Sequence, residues 1–394
     1  MKLLLTHRFF WPDTAPYAVM LRAIGDALAE DGHDVHVLSS MPSYRSETRH
    51  AEVPPRETLG ALQVRRIWVF GDEKRNPLRR LANVVLYCWA LFMTVLRLRP
   101  DVVTASTFPP VVAARSASLA AQIVGARFVY HVQDIHPELS EFSGGGHSQR
   151  LPRRLLRWLD NQTLRRAETI VTLSEDMAET LRARRLGPLS IEIINNPALE
   201  TDGKTIAPPP ELVKPAGTTR VIFAGNLGRF QNLPLLAEGV ARCFVTHPEL
   251  ELFFLGDGVA LPELKARWGT HPQVRFAPFL PFDQARGVIS GADIGLVSLN
   301  PGLYRVAYPS KLSTYLDLGL TVLALIEPES RMAQMLETTG QGAVAALPEP
   351  KAIGAALERL LSRPRPAPQA EAGAATGTAP GWCEIVVARK DGAK

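Results

Sequence analysis

Short apolar runs alternate with stretches of helical spacing along this chain, and the alternation occurs twice. In the first half, Lys2–Thr6, Val35–Leu38, Leu62–Phe70, Asp101–Ala105, Arg127–Gln133, Thr169–Leu173 and Ile191–Ile194 read as strands. Between them, Ala18–Glu30 carries Leu21, Ile24 and Leu28 at helical spacing and stops at Gly32, and Val111–Val124 reads as an apolar helix. The Pro-rich, polar stretch Asn195–Gly217 interrupts the pattern. It restarts with strands at Val221–Ala224, Leu250–Leu255, Val274–Phe276, Ile294–Ser298 and Thr321–Ala324. Strands that alternate with helices predict parallel sheets covered on both faces. Two such halves predict an α/β chain of two Rossmann-like domains facing a central cleft, with ligands outside the carboxyl ends of the strands.

A length of 394 residues allows two separate cores. The net charge of +5 is modest, and no block of Lys and Arg reads as a nucleic-acid arm. Cys88, Cys243 and Cys383 are far apart and odd in number, which fits a reducing compartment and gives no disulfide framework or zinc pattern. The N-terminal MKLLLTHRFFW is too short an apolar run for a signal peptide and reads as the first strand, so a cytoplasmic protein is expected. Met41–Thr58 reads as a long surface loop, and the Pro/Ala/Gly-rich 363–394 as a disordered tail whose closing WCEIVVARK is a short strand at most.

Val221 to Asn232, VIFAGNLGRFQN, is a buried strand, a Gly-containing turn and a helix start. Such a turn leaves backbone N–H groups bare at a helix N-terminus, a natural anion site. Arg229 adds a planar fork suited to phosphate oxygens. The Gly-x-x-Gly spacing of Gly225 and Gly228 is not the dinucleotide fingerprint, which argues against NAD. A plain βα turn with a polar cap explains the stretch equally well. FLGDG, with Gly256 and Asp257, is a second strand-to-Gly turn, open to the same two readings. In YPSKLSTYLDLG, Pro309-Ser310 starts a helix that Ser310 can cap and that ends at Gly319. Lys311 sits in the first turn, where the helix dipole disfavours a cation, so it either meets an anion or is simply solvated.

FVYHVQDIHPE delivers His131, Asp134, His136 and Glu138 to the end of a strand, where acid/base or hydroxyl-binding work is placed. The alternative is that Asp134 caps the following turn. Leu78–Leu98 is the most apolar stretch, but its core from Leu81 to Leu96 is shorter than the ~20 residues a bilayer needs. It is a core helix or a monotopic helix that touches a membrane. Leu151–Arg166 is amphipathic and basic: a solvated surface helix or a second contact with anionic lipid heads.

Eight stretches in order resemble the family-4 retaining glycosyltransferases of GT-B fold. They are the strand opening with Phe9–Asp13, DALAEDGHDVHVLSS, RPDVVTASTFPP, YHVQDIHPELS, FAGNLGRFQNLPLL, FLGDG, YPSKLSTYLDLGLTVLA and TTGQGAVAAL. Within that family the chain is most similar to the bacterial polysaccharide branch of fucosaminyltransferase-like and colanic-acid-type enzymes. The resemblance implies an acceptor-binding domain at 1–197, a linker at 198–217, a donor-binding domain at 218–362 and the tail at 363–394.

The resemblance also implies a nucleotide-diphospho-sugar donor, a lipid-linked saccharide acceptor, transfer with retention, no metal and no cofactor. By it, Gly225, Asn226, Gly228, Arg229, Gln231 and Asn232 hold the diphosphate, with Gly256 and Asp257 in the neighbouring turn. Ser310 and Lys311 face the diphosphate or sugar, Thr314 faces ribose or sugar, and Asp134 lies near the acceptor hydroxyl and donor sugar; with the strand-end reading above, Asp134 and His131 are the candidate catalytic residues. No nucleic-acid partner is implied. Peripheral contact with the inner face of the membrane is expected.

The chain departs from the family pattern at several points. Val306 and Thr314 stand where the family usually has two glutamates. Ala15-Pro16 replaces a glycine pair, and a closing helix back to the first domain is not visible after Leu361. Those departures keep open a catalytically impaired, donor-binding partner subunit. A sugar-nucleotide epimerase of the same fold is a further alternative.

Overall fold

The computed structural model describes residues 1–13, 15–43, 53–70, 76–143, 150–196, 207–363 and 379–388. The chain divides into two compact units, each built on one sheet.

In unit 1 the elements run β1 (Lys2–Thr6), α1 (Pro16–Glu30), β2 (Asp34–Ser40), β3 (Arg56–Leu59), β4 (Leu62–Ile67), α2 (Pro77–Leu98) and β5 (Val102–Ser106). They continue with α3 (Val112–Val124), β6 (Arg127–Val132), α4 (Arg150–Leu164), β7 (Thr169–Thr172), α5 (Glu175–Arg182) and β8 (Ile191–Ile193). The eight strands lie in the order β3-β4-β2-β1-β5-β6-β7-β8. All pairs are parallel except β3 with β4. The central strands β1, β5 and β6 are almost wholly buried, as their unbroken apolar runs require. Part of the expected 41–58 loop is instead the edge strand β3, and residues 44–52 of it lie outside the described residues. Its sequence RETL is half exposed and polar, so no apolar alternation marks it.

Helix α2 is long and apolar enough to cross a bilayer by length and composition. It nevertheless lies on the sheet. Asn83, Tyr87, Leu91, Thr94 and Val95 are buried, and the Asn83 amide bonds both Phe70 N and Phe70 O. Its other side leaves Leu78, Leu81, Val85 and Trp89 exposed at helical spacing. The core reading of this helix holds for its buried face.

Unit 2 runs β9 (Thr219–Ala224), α6 (Leu233–Ala241), β10 (Leu250–Leu255), α7 (Leu261–Trp268), β11 (Val274–Ala277), α8 (Phe282–Ser290) and β12 (Ile294–Ser298). It ends with α9 (Lys311–Asp317), β13 (Thr321–Leu325), α10 (Arg331–Thr338), β14 (Gly342–Ala345) and α11 (Pro350–Leu361). The order β11-β10-β9-β12-β13-β14 is parallel throughout. Both β9 and β10 are buried along almost their whole length, and Phe223, Phe254, Leu296 and Leu323 sit in one core cluster.

Three boundaries differ from the sequence expectation. In the supposed linker 198–217, residues 197–206 lie outside the described residues, but residues 207–217 pack on unit 2. Lys214 pairs with Asp293 at 2.6 Å, and the buried Arg220 guanidinium donates to Leu212 O at 2.8 Å. Three residues of the supposed donor domain, Val306–Tyr308, belong to unit 1. The supposed tail is not wholly unstructured: Ala379–Val387 forms helix α12 of unit 1, packed against α1, while 364–378 and 389–394 lie outside the described residues. The segment WCEIVVARK is therefore helical from Trp382 to Val387, not a strand. Trp382 is only 2 % exposed, and Cys383 and Val386 are buried. The Arg127 guanidinium donates to Val386 O and Val387 O at 3.3 Å, which satisfies carbonyls at the helix end. A closing helix is thus present after Leu361. Its local composition hid it because tertiary burial, not propensity, stabilises it.

Candidate functional site

In unit 2 the turns after β9 and β10 are zipped together. Gly225 N donates to Leu255 O at 2.8 Å, Leu227 N to Asp257 O at 2.9 Å, and Ala260 N to Leu227 O at 3.0 Å. This close approach dictates glycine. A Cβ on Gly256 would lie 1.9 Å from Gly225 O, and one on Gly258 would lie 2.3 Å from Leu227 O. Both glycines also have positive φ, +141° and +157°. Gly228 does a different job: a Cβ there would meet Asn226 Nδ2 at 2.8 Å and Gln231 Oε1 at 2.9 Å. Its lack of a side chain lets those two amides close over the turn. Asn232 is left-handed and α6 has no side-chain cap. Arg229 is exposed, and its side chain has no partner among the described residues. Asp257 is also exposed and bonds Gly258 N at 2.7 Å.

Helix α9 is brought to the same place by one small residue. Gly295 of β12 admits the Tyr315 ring; a Cβ there would sit 2.4 Å from it. The Tyr315 hydroxyl accepts from Ala224 N at 2.9 Å, at the last residue of β9. One helical turn earlier, Lys311 lays its ammonium over the Phe223 ring, 3.2 Å from the centroid. That nitrogen is buried and makes no hydrogen bond or ion pair among the described residues. Burial pushes the Lys311 ammonium down from 10.5 to about 7. Gln231 Oε1 is likewise buried without a partner. Ser310 does not cap α9 as expected: it is in the αR region with no side-chain bond, and it is exposed. Thr314 lies half-buried on α9.

In unit 1, His131 is the penultimate residue of β6 and fully buried, and burial drives its imidazole well below the usual range. Nδ1 contacts the Tyr17 hydroxyl at 3.0 Å, Nε2 contacts the Gln133 amide, and the ring of Trp382 on α12 lies tilted at 48° with its centroid 4.1 Å away. Gln133 is held by Asn196 through two bonds of 3.0 and 2.9 Å. Both ring nitrogens are thus engaged, and the ring is a neutral strut as it stands.

Asp134 differs. Its backbone pairs with Ala307 in an antiparallel bridge, and Ile135 N donates to Val306 O at 2.8 Å. Its carboxylate has no ion pair or side-chain hydrogen bond among the described residues. Burial raises it from 3.8 to about 6. Val306, at the position of one usual glutamate, is buried in unit 1.

Arg184, which no local pattern marked, holds the loop beyond Asp134. Its fork donates to Glu138 Oε2 at 2.6 Å, Glu138 Oε1 at 3.0 Å, His136 O at 3.0 Å and Asn161 Oδ1 at 3.1 Å, and it pairs with Asp160. Its side chain is 1 % exposed. Arg184→Met would strand Asp160 without its cation and leave Glu138 only Arg157 at 3.8 Å, at a cost of about 3–5 kcal/mol. The urea midpoint should fall accordingly, and an unchanged midpoint would count against this account.

Residues 17–197 match the glycosyl transferase 4-like domain family. WcaI of Escherichia coli K12, named as a colanic acid biosynthesis glycosyl transferase, is 24% identical over 357 residues, 86% of each chain. Among solved structures, that of WaaG, a glycosyltransferase involved in lipopolysaccharide biosynthesis, is similar with a TM-score of 0.68 and 15% identity, covering 98% of this chain and 99% of WaaG. That of Anabaena HepE in complex with UDP and glucose is similar with a TM-score of 0.57 and 17% identity, covering 98% and 95%. The two α/β units, with sheets of mostly parallel strands, are those of the GT-B fold.

Proposed function

We propose that this chain, whose residues 17–197 match the glycosyl transferase 4-like domain family, is a glycosyltransferase that moves a sugar from a nucleotide-diphospho-sugar to a lipid-linked saccharide in bacterial cell-surface polysaccharide synthesis. The observation that carries this reading is the Lys311 ammonium, buried without a counter-ion beside the paired glycine turns of unit 2. A cation left so is stabilised once an anion arrives. The donor's diphosphate supplies that anion. Arg229 and the uncapped N-terminus of α6 add donors to the same charge. Breaking the glycosyl–phosphate bond builds charge on the leaving diphosphate, and fixed donors lower that barrier. Transfer with retention through a short-lived ion pair needs no protein nucleophile. The UDP in the HepE structure and the colanic acid named for WcaI support the donor and product classes.

Asp134 takes the acceptor hydroxyl's proton in this reading. It must then be ionised, so kcat/KM falls as pH drops through about 6. Asp134→Asn removes that limb and lowers the rate on the order of 10²-fold. Linkage gives an independent check. The folded carboxyl holds its proton up to about 6 and the unfolded one only to 3.8. Ionisation therefore costs stability in full above pH 6, and the cost fades as pH falls to 3.8. The Asn variant should be about 3 kcal/mol more stable at pH 8 and equal to wild type at pH 3.

The exposed α2 stripe, with Arg79 and Arg80 beside it, and exposed Leu155 and Trp158 on α4 support contact with an anionic membrane, where the acceptor resides. Helix α3 packs against both α2 and α4. Trp89→Asp should cut co-sedimentation with phosphatidylglycerol vesicles several-fold.

The whole reading is tested by release of nucleoside diphosphate from a panel of nucleotide-sugars with a lipid-linked acceptor. Release that requires both substrates supports it. A change in the sugar-nucleotide without acceptor points to epimerisation. No release by the pure chain, together with a co-purifying active transferase, points to the impaired subunit that Val306 and Thr314 keep open.

A further inference from the structure

A groove of about 520 Å³ opens at the β3–β4–β2 edge of unit 1, several strands from Asp134. Arg56, Arg65 and Arg97 line it, together with His36, Thr58 and Gln63. Arg56 and Arg65 are direct cross-strand partners in the antiparallel β3/β4 pair. Like charges directly opposite each other destabilise a sheet. Arg97 joins them from the last turn of α2. Arg65 donates to Thr94 Oγ1 at 3.4 Å, which aims its fork into the groove. The side chains of Arg56 and Arg97 have no hydrogen bond or ion pair among the described residues.

One carboxylate among the lining residues belongs to Glu57, and strand alternation turns it to the other face of the sheet. There Arg66 takes it at 2.6 Å. Asp34, half exposed to solvent, lies 3.1 Å from His36. The electrostatic consequence is visible at Arg65: desolvation first, then Arg56 and Arg97, hold its guanidinium below the usual value. A favourable helix dipole accounts for Arg97 alone. It does not account for Arg56 set opposite Arg65.

We infer that this groove is a second oxyanion site, separate from the donor site, that takes a phosphate-bearing ligand. Three planar forks converge where, among the described residues, no counter-charge is supplied, and phosphate oxygens fit such forks in pairs. Thr58 and Gln63 add neutral donors at the rim. The phosphate belongs either to a soluble metabolite or to a lipid headgroup.

The test uses the full chain carrying Arg229→Ala and Lys311→Met, so that the donor site no longer competes. Pyrophosphate titrated by calorimetry should still bind once per chain and raise the thermal midpoint. Adding Arg65→Gln and Arg97→Gln should weaken that binding at least tenfold while leaving the unliganded midpoint equal or higher. The single Arg56→Gln, at an exposed position, should weaken binding in the same direction. Phosphatidylglycerol vesicles separate the sources. Retention lost with Arg65 and Arg97 marks a headgroup, and unchanged retention with pyrophosphate binding lost marks a soluble phosphate. Pyrophosphate binding that is absent from the start, or indifferent to these arginines, overturns the inference.

Discussion

Lys311→Met is expected to abolish sugar transfer, by roughly 10²–10³-fold in kcat, and at the same time to make the protein more stable. Few catalytic lesions combine those two signs. The structure requires both because the ammonium lies buried over Phe223 with nothing to neutralise it. Its proton leaves at about 7 in the folded chain against 10.5 in the unfolded one. Below pH 7 the native state carries the buried charge and bears the whole cost. Between 7 and 10.5 the native lysine is neutral while the unfolded one keeps its proton, so wild-type stability rises with pH across that window. The stability advantage of the Met variant should be as much as about 4 kcal/mol at pH 7 and should shrink toward zero near pH 10.5. Chemical denaturation at three pH values reads this directly. A Met variant that is less stable at pH 7, or that transfers at the wild-type rate, would remove Lys311 from the site. Lys311→Arg keeps a charge but not the compact fit over the ring, and it should recover part of the activity.

Gly256→Ala is expected to be the most damaging single methyl group in unit 2. The added carbon would meet the Gly225 carbonyl at 1.9 Å, backbone against backbone, at a φ of +141°. Neither side can yield without parting the turns after β9 and β10. The loss should exceed about 3 kcal/mol, seen as a lower urea midpoint or a fall in soluble yield, with donor affinity lost even where the chain still folds. Gly291→Ala is the matched control. It sits at the end of α8 with φ −80°, and a Cβ there comes no nearer than 3.6 Å to Val288 O. It should be close to neutral.

Some of this was legible before any coordinates. The parallel strands announce themselves because burial on both faces leaves no polar positions, as in Leu3–Leu5 and Val221–Ala224. The placing of Lys311 against the helix dipole was a second readable cue. Other features left no local trace. Strand β3 is polar because it lies at an edge, and β14, GAVA, is too short and small to stand out. Arg184 lies in a run of arginines, and only the fold shows that its fork meets Glu138, Asp160 and the His136 carbonyl. The glycine sterics at Gly256 and Gly295 depend on which backbone or ring arrives opposite, which spacing within one segment does not encode. For His131 the reverse holds: the sequence suggests an acid, base or hydroxyl-binding group at a strand end, yet partners distant in sequence, Tyr17, Asn196 via Gln133, and Trp382, close around the ring.

Unit 1 takes its last pieces from far along the chain, with Val306–Tyr308 beside Asp134 and Trp382 over His131. During synthesis, some 190 residues therefore leave the ribosome between Asn196 and the tryptophan that seals that histidine. Until residues 379–388 emerge, the nascent first unit has an unfilled slot against α1 and an exposed imidazole. The first unit thus cannot be finished before the second has been synthesised.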